Sequence, residues 1–383
     1  MMGLVLSTLS VLLNFSKKLS RSKKWVSAHK RAMHKLYSLA IKLVDFTRYF
    51  CGNIKINIIL DDMRILEHFE RQPFSVFVVN HPNYIDPLYA LSLYHRLGFP
   101  SAYRYLTAHI KYIFPTFGVS NELFGNLFVG RSWKQDKLEL SKQLNNLLSS
   151  EKQLAVIYWP EGYVFSSDRH KRATEYSESK EIKPFKYHLV PKTKGFNLIL
   201  KKLVRSSKGF GKKVHIYNTQ IVYRENTSIM DWFNGKEIYL DSFIEEIELN
   251  KEVLREALDE SLQPEDCKAC SKFMYDVFER KDELIEEYKR NGNKFVSAPS
   301  GGVLEEAPLL DMFLVWLASA TLTLWLMFYI FGGLAGLVTA LAVVAAGVTL
   351  ALTNFSRFDN PILFHRSIET VSKTKSLEEV AAC

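Results

Sequence analysis

The stretch Phe74-Ser75-Val76-Phe77-Val78-Val79-Asn80-His81-Pro82-Asn83-Tyr84-Ile85-Asp86 decides how this chain folds and where its chemistry lies. Its first six residues are an apolar run interrupted only by Ser75, which predicts a strand buried on both faces of a sheet. A histidine and an aspartate, His81 and Asp86, follow that strand directly. Pro87 comes next and favours the first turn of a helix. We therefore predict a strand, a short loop that carries His81, and a helix that begins near Asp86.

The pairing of His81 with Asp86 has the chemistry of a general base. A histidine can take a proton from a hydroxyl group near neutral pH. A carboxylate on its other ring nitrogen fixes the tautomer and stabilises the imidazolium ion that forms. Such a pair needs no serine or cysteine nucleophile when the attacking hydroxyl belongs to the substrate. The spacing alone leaves a second interpretation open, a loop histidine beside an aspartate that caps the next helix.

Outward from this stretch, the pattern alternates strands with helices. We predict strands at residues 53–61, 103–108, 154–159, 189–190 and 214–223, and helices at residues 87–97, 136–149 and 194–204. Interleaved strands and helices indicate an α/β fold, with a mixed sheet flanked by helices in a single domain. The candidate site residues follow strands, where open α/β sheets place their ligands. The polar, aperiodic segment 166–183 predicts a mobile loop.

Three later segments extend the pattern: GNLFVGRSWKQD at 125–136, VIYWPEGY at 156–163 and HLVPKTKGF at 188–196. Together with the first stretch they resemble, in order and spacing, the four sequence blocks of the H-x4-D glycerolipid acyltransferase superfamily, which includes the 1-acylglycerol-3-phosphate acyltransferases. The matching residues are Asn80, His81 and Asp86, then Phe128 to Arg131, then Pro160, Glu161 and Gly162, and finally Val190 to Phe196. The resemblance covers residues 74–223. Segment 273–284 resembles a tail segment of the eukaryotic lysophospholipid acyltransferase branch.

The resemblance implies an acyltransferase domain over residues 53–295, with His81 as general base and Asp86 as its partner. The residues expected to bind substrate are Asn80, Arg131, Glu161, Gly162, Tyr163, Pro191 and Lys192. The planar fork of Arg131 suits phosphate oxygens. A carboxylate repels phosphate, so we expect Glu161 to hold Arg131 or to accept a hydrogen bond from a substrate hydroxyl. Acyl-coenzyme A is the expected co-substrate, and no bound cofactor or metal is expected.

The implied reaction esterifies the free hydroxyl of a lysophospholipid, with 1-acyl-sn-glycerol-3-phosphate as the first expected acceptor and phosphatidic acid as the product. Acylation of another lysophospholipid, such as lysophosphatidylinositol or a lyso-cardiolipin, or transfer directly between phospholipids, stays open. One departure bears on this choice, because Tyr163 stands where the family usually has Thr or Ser. A phenol is much larger than a threonine side chain, although it still donates a hydrogen bond. Tyr163 also keeps open a non-catalytic protein that binds lipid or a partner on the same scaffold.

Composition narrows the classes of partner. The chain has 383 residues and a formal net charge of +9, and a basic surface attracts anionic membranes, phosphorylated substrates or nucleic acid. No nucleic-acid-binding motif is present, so nucleic acid is not an expected partner. Cys267-Lys268-Ala269-Cys270 lacks the second pair that would complete a zinc site. The expected partners are therefore a lysophospholipid, acyl-coenzyme A and the lipid bilayer, and no obligate protein partner is evident.

The C-terminal part of the chain predicts membrane helices. Residues 309–352 contain one charged residue, Asp311, and exceed the length of about 40 residues that two spans need. Gly332-Gly333 lies near the middle and suits a turn, which divides residues 309–353 into two helices and leaves 354–383 as a tail. One long tilted span or a buried helix pair are the alternatives. Basic residues on both flanks favour cytosolic ends.

The N-terminal residues 1–52 predict membrane-associated helices. Gly3 to Phe15 is apolar but short for a span, and Met33 to Phe50 mixes apolar and basic residues at helical spacing. We interpret both as interfacial helices beside the active site. The alternative for the second helix is that it packs on the core. With the C-terminal hairpin, this organisation predicts a multi-pass protein of the endoplasmic reticulum membrane with its active site facing the cytosol.

The predicted hairpin generates a test. Deleting residues 309–383 should release much of the membrane association, because the apolar run supplies the predicted spans. The four blocks should be spared, since they all lie before residue 224. Carbonate extraction of membranes containing the full and the shortened chain measures the effect. Equal resistance of both to extraction would show that residues 1–52 provide the main anchor.

Overall fold

The computed structural model describes residues 23–50, 53–71, 74–97, 103–108, 121, 125–130, 132–150, 153–208, 213–305 and 321. The chain divides into two compact units, residues 1–319 and 320–383, and the fold described below belongs to the first. The predicted hairpin at 309–353, apart from Thr321, the tail at 354–383, Gly3 to Phe15 and Arg131 lie outside the described residues. Among the helices that are described, none is both long and apolar enough to cross a membrane.

The described strands alternate with helices along the chain. The strands are β1 Ile54–Leu60, β2 Phe74–Val79, β3 Tyr103–Ala108, β4 Leu127–Val129, β5 Leu154–Tyr158, β6 Val214–Tyr223, β7 Ile238–Ile247 and β8 Gly302–Leu304. The α-helices are α1 Lys23–Phe50, α2 Arg64–Arg71, α3 Asp86–Arg96, α4 Trp133–Ser150, α5 Ser167–Ser179, α6 Thr193–Lys208, α7 Ile229–Phe233, α8 Lys251–Leu258 and α9 Lys268–Arg290. A 3-10 turn, Pro264–Asp266, precedes α9.

These strands form one mixed sheet in the order β4-β3-β5-β2-β6-β7-β1-β8. The five strands from β4 to β6 run parallel to one another, and β7 pairs antiparallel with β6. Strand β1 is parallel to β7, and β8 closes the edge antiparallel to β1. The predicted α/β fold with a mixed sheet is therefore confirmed.

Strand β2 lies inside the sheet and is covered on both faces, as the apolar run predicted. All of its residues are buried. Phe77 and Val79 pack into a core with α1 and α3 on one face, and Phe74, Val76 and Val78 pack into a second core with α4, α6 and α9 on the other. Successive side chains of a strand point to opposite faces, so one continuous apolar run supplies both cores.

Helix α1 packs on the first core. Its buried side chains include Leu36, Tyr37, Ala40, Ile41 and Leu43. The structure therefore favours the core-packing alternative over the interfacial interpretation for this face of the helix. The sequence pattern of a helix with one apolar stripe is similar whether the stripe packs against a membrane or against a sheet.

A buried polar cluster also joins α1 to α3. The Asp45 carboxylate accepts hydrogen bonds from Arg48 at 2.7 Å and from His95 at 2.8 Å. Burial alone would raise the pKa of Asp45, but Arg48 and His95 hold that pKa well below its ordinary value. The ionised carboxylate is thus paired on both oxygens, which a buried charge requires.

Two predictions for the segment between β5 and α6 are wrong. Residues 166–183 were predicted as a mobile loop, whereas α5 occupies most of them, with the Ser166 hydroxyl accepting the Arg169 N–H as its N-cap. Only Ser177 of this helix is buried, so no apolar stripe marks it in the sequence. Residues 189–190 form no strand but lie in the irregular segment that leads to α6. A boundary outside this segment also differs from the prediction: helix α4, which precedes β5, begins at Trp133, three residues earlier than predicted.

Candidate active site

The candidate site lies where β2 and β5 end, at one edge of the sheet. The two strands are parallel neighbours, so their carboxyl ends meet there. His81 follows β2 by two residues, and Glu161 follows β5 by three. Strand β6, parallel to β2 on its other side, ends at Tyr223. The sheet thus brings together three chain segments that are far apart in sequence.

His81 and Asp86 form the predicted pair. Nδ1 of His81 lies 2.7 Å from Oδ2 of Asp86, with Asp86 buried and the His81 side chain 19% exposed. A carboxylate accepts, so Nδ1 carries the proton and donates it, which leaves Nε2 as the nitrogen with a lone pair. This geometry is the one that a general base requires. It also excludes the simpler interpretation of Asp86 as a helix cap with an unrelated histidine beside it.

Two further groups fix the Asp86 carboxylate. The Asn83 backbone N–H donates to Oδ2 at 3.1 Å, and the Tyr223 hydroxyl donates to Oδ1 at 2.6 Å. Burial, and the adjacent charge of Asp86, raise the pKa of Tyr223 well above its ordinary value, so its hydroxyl keeps its proton and remains a donor. No motif marks Tyr223 in the sequence, because a tyrosine at a strand end is common.

Glu161 holds the backbone of His81. Its carboxylate is 2% exposed and accepts the His81 N–H at 2.8 Å and the Leu189 N–H at 3.1 Å. Burial raises the pKa of Glu161, against the opposing fields of His188 and His81. Both carboxylate oxygens are engaged by the protein, so the geometry gives Glu161 a positioning role. The predicted contacts with Arg131 or with a substrate hydroxyl stay predictions.

Asn80 closes the ladder between β2 and β6. Its amide Nδ2 donates to the Ile221 carbonyl at 3.0 Å, and its Oδ1 accepts the Ile221 N–H at 2.7 Å. The side chain is buried and imitates one more residue of strand pairing. Each polar atom of Asn80 thus bonds Ile221, and the predicted contact of Asn80 with substrate stays a prediction. The geometry therefore gives it the role of fixing the start of the His81 loop.

The backbone conformation at position 162 requires glycine. Its φ is +67°, in the left-handed region, and an added Cβ would lie 2.9 Å from Nζ of Lys192. The Lys192 N–H donates to the Pro160 carbonyl at 2.7 Å, which ties the third block to the fourth. Pro191 is buried beside this link. The two blocks therefore fold as one surface around Gly162.

Tyr163 holds two cations at this surface. Nζ of Lys192 lies 4.4 Å from the centre of its ring, and the Arg169 guanidinium carbon lies 5.4 Å from it. Cations at these distances are attracted to the face of an aromatic ring. Threonine, the usual residue here in the family the sequence resembles, has no such face. The sequence predicted neither the pairing nor Arg169, which lies on the helix missed at 167–179.

A cavity of about 880 Å³ opens beside this surface. Its size suits a ligand pocket. Its apolar wall includes Trp133, Leu140, Tyr158 and Trp159, and its cationic side chains are Arg169, Arg172, Lys192 and Lys194. Trp159 and Glu161 both line the cavity and both contact His81. The centres of the Trp159 and His81 rings lie 5.6 Å apart, and the Glu161 carboxylate accepts the His81 N–H. The cavity lining thus combines apolar and cationic side chains with Asp136 and Glu161, and two of its residues contact His81.

Helix α9 contacts the two strands, β2 and β6, that lead to the site. Lys281 is fully buried, and its Nζ donates to the carbonyls of Val78 and Thr219 at 3.0 and 2.6 Å. Burial lowers the pKa of Lys281 to about 7, against the fields of Glu161 and Glu245. The sequence resemblance had included segment 273–284, but nothing in it indicated this contact.

The next residue along the helix, Asp282, accepts from Nδ1 of the buried His188 at 2.7 Å. Its carboxylate also accepts the backbone N–H groups of Lys186 and Tyr187. Burial alone would raise the pKa of Asp282, but the hydrogen bond and charge of His188 lower it. Asp282 therefore secures the segment that leads to Leu189, the second donor to Glu161.

One group of side chains within the described residues has the spacing of metal ligands. Glu256, Cys267 and Cys270 offer ligand atoms within 4.8 Å of one another, on α8 and at the start of α9. Burial raises the pKa of both thiols, which disfavours the thiolate form that binds metals. The sulfur atoms instead lie within hydrogen-bond reach of the Gln263 and Val253 carbonyls.

The fold and the site together define a class of protein: an α/β protein with a hydrogen-bonded His–Asp pair at the carboxyl edge of its sheet, near a cavity with four cationic side chains in its lining. Comparison with known families makes this specific. The family model described as Acyltransferase matches residues 62–217, and the model described as Acyltransferase C-terminus matches residues 258–317, together more than half of the chain. The chain belongs to the H-x4-D glycerolipid acyltransferase superfamily, in the branch of the 1-acylglycerol-3-phosphate acyltransferases.

The chain is also similar to named members of that branch. It is 25% identical over 256 residues to 1-acyl-sn-glycerol-3-phosphate acyltransferase delta of Homo sapiens, covering 67% of this chain and 63% of the relative. It is 26% identical over 236 residues to the delta enzyme of Mus musculus, covering 61% and 58%. It is 24% identical over 264 residues to the gamma enzyme of the same species, covering 68% and 64%. The chain thus spans less than two thirds of the length of these relatives.

The conformation of Gly162 generates a stability prediction. Gly162→Ala should lower the free energy of unfolding by about 1–2 kcal/mol, because an L-residue pays this strain in the left-handed region. Gly235→Ala is the matched control: its φ is +69°, and no described atom lies within 4 Å of an added Cβ. Both variants should lose a similar amount in denaturant unfolding. Wild-type stability of Gly162→Ala would contradict the assigned conformation.

Proposed function

We propose that the chain is an acyl-coenzyme A-dependent acyltransferase that esterifies the free hydroxyl of a lysophospholipid, with 1-acyl-sn-glycerol-3-phosphate as acceptor and phosphatidic acid as product. The observation that carries the proposal is the 2.7 Å contact between Nδ1 of His81 and the buried Asp86. The printed names of the relatives, 1-acyl-sn-glycerol-3-phosphate acyltransferases, support the acceptor. Family membership supports the reaction class.

The reaction needs no covalent enzyme intermediate. Nε2 of His81 removes the proton from the acceptor hydroxyl as its oxygen attacks the thioester carbon of acyl-coenzyme A. A carbon–oxygen bond forms, the carbon–sulfur bond breaks, and His81 returns the proton to the departing sulfur. Asp86 stabilises the imidazolium ion between these steps. Acyl-coenzyme A is a co-substrate in this scheme, which uses neither a bound cofactor nor a metal.

The charges around the cavity support an anionic acceptor. Arg169, Arg172, Lys192 and Lys194 outnumber Asp136 and Glu161 in its lining, and the apolar side chains of the same lining suit acyl chains. A lysophospholipid carries a phosphate and an acyl chain, so it matches both features. Arg131, which the family resemblance assigns to phosphate binding, is proposed as an additional phosphate ligand.

A second acceptor is favoured by one observation, the position of Tyr163 between Lys192 and Arg169. Its ring holds both cations and takes up space that a threonine would leave open. A larger or hydroxyl-rich head group, as in lysophosphatidylinositol or a lyso-cardiolipin, meets a phenol hydroxyl that can donate to it. The intact geometry of His81 and Asp86 argues against a non-catalytic lipid-binding protein on the same scaffold.

We propose a membrane location on the endoplasmic reticulum, with the site facing the cytosol. The support comes from the sequence: an apolar run at residues 309–352 that is long enough for two spans, with basic residues before and after it. A lysophospholipid acceptor is itself a membrane lipid, so a catalytic domain held at the bilayer meets its substrate there. The proposed protein is multi-pass through this hairpin.

The proposed reaction is tested by His81→Ala. Thiol release from oleoyl-coenzyme A with 1-acyl-sn-glycerol-3-phosphate should fall by at least about 10²-fold, because general base catalysis is lost. The control is His170→Ala, since Nε2 of His170 bonds the Phe185 carbonyl and His170 is not among the residues that line the cavity. This control should keep most of its activity. Near wild-type turnover in a folded His81→Ala variant would remove the proposed mechanism.

The choice of acceptor is tested by Tyr163→Thr. The substitution opens space near Gly162 and releases Lys192 and Arg169, so it should shift preference towards a small head group by roughly 10–200-fold. The measurement is kcat/KM for 1-acyl-sn-glycerol-3-phosphate, lysophosphatidylinositol and lyso-cardiolipin in both proteins. Parallel changes for all acceptors would make Tyr163 a structural residue only. An inactive wild type that gains activity with threonine would instead favour the non-catalytic scaffold.

A further inference from the structure

Lys281 is a lysine in an unusual place. It lies on α9, outside the four sequence blocks, and its side chain is fully buried against the sheet. Its Nζ donates to two main-chain carbonyls, of Val78 at 3.0 Å and of Thr219 at 2.6 Å. Transferring an ammonium group into a protein interior carries a large desolvation penalty. A methionine would fill similar space without that penalty, so the distinctive contribution of Lys281 is the pair of hydrogen bonds.

The two carbonyls lie where the site begins. Val78 is three residues before His81, and Thr219 is four residues before Tyr223, the donor to Asp86. Val79 pairs with Thr219 at the end of the ladder between β2 and β6. Beyond that pair, Asn80 bonds Ile221, and the two strands then lead to the base and to its support. Lys281 therefore bridges the two strands just before this last link, next to the final pair of the ladder.

The charged groups around Lys281 also connect it to the site. Burial lowers the pKa of Lys281 to about 7, while Glu161 and Glu245 place negative potential on it and favour the ammonium form. Glu161 is the residue that accepts the His81 N–H. Arg280, one residue earlier on α9, pairs with Glu245. The ammonium thus lies in the field of the same carboxylate that holds the catalytic loop.

We propose that Lys281 is a positioning residue: its ammonium group fixes the ends of β2 and β6 so that His81 and the Tyr223–Asp86 pair stay in register. The inference rests on the proposed acyl transfer, in which His81 is the general base. Lys281 itself touches no substrate in this scheme. Its effect reaches the reaction through the position of Nε2, and a displacement of about 1 Å can lower a rate by 10²-fold.

The chain provides a matched control in Lys201. It too is a buried lysine, 4% exposed, and its Nζ donates to two main-chain carbonyls, of Glu256 at 2.8 Å and of Asp259 at 2.7 Å. Those carbonyls belong to α8 and the turn after it. Replacing either lysine with methionine removes the same chemistry, but only Lys281 bridges the strands of the site.

The experiment compares Lys281→Met with Lys201→Met in the full chain. We expect kcat of Lys281→Met to fall by about 10- to 100-fold, with KM for acyl-coenzyme A within about threefold, because the base is displaced while the cavity is intact. Lys201→Met should keep kcat within about threefold. Hydrogen exchange by mass spectrometry should show faster exchange at residues 80–86 and 221–223 in Lys281→Met alone.

The outcomes separate this inference from the proposed function. Wild-type kcat and unchanged exchange at 80–86 in a folded Lys281→Met variant overturn the positioning role. An equal loss of kcat in both variants also overturns it, because the effect would then be general destabilisation. If the wild type transfers no acyl group while Lys281→Met still accelerates exchange at 80–86, the proposed function fails and the positioning role stands.

Discussion

The hydrogen bond from the His81 backbone N–H to the buried carboxylate of Glu161 joins the two strand ends on which the site is built. The same carboxylate accepts the Leu189 N–H, so one side chain fixes the first, third and fourth sequence blocks relative to one another. A buried carboxyl group with one hydrogen bond on each oxygen is costly to disturb, because losing either donor leaves a buried oxygen without that bond. The direction of the His81 ring, and hence its contact with Asp86, depends on this link.

Acidic and basic side chains meet at this site. The carboxyl groups of Asp86, Glu161 and Asp282 are buried or half-buried among hydrogen bonds. Four cationic side chains line the cavity, together with Asp136 and Glu161. The proposed reaction uses both kinds of charge, because the base becomes cationic for a short time while the substrate is anionic. The Tyr163 ring holds Lys192 and Arg169 near the cavity.

The support behind the site comes largely from parts of the chain that carry no motif. Tyr223 ends β6, Lys281 and Asp282 lie on α9, and all three act on the base through other groups. The His81–Asp86 pair is thus local in sequence, whereas Lys281 bonds the strand before it, at Val78, from 203 positions away.

The sequence by itself determined the central strand, the His–Asp pair and the α/β class. Each depends on local information: an apolar run for β2, a spacing of five residues for His81 and Asp86, and alternating patterns for the sheet. Only the tertiary structure decided that residues 167–179 form a helix, that Asn80 and Glu161 hold the backbone, and that Tyr223 and Lys281 support the base. Those facts depend on which polar groups are buried together, and burial is a property of the packed sheet rather than of any local run of residues.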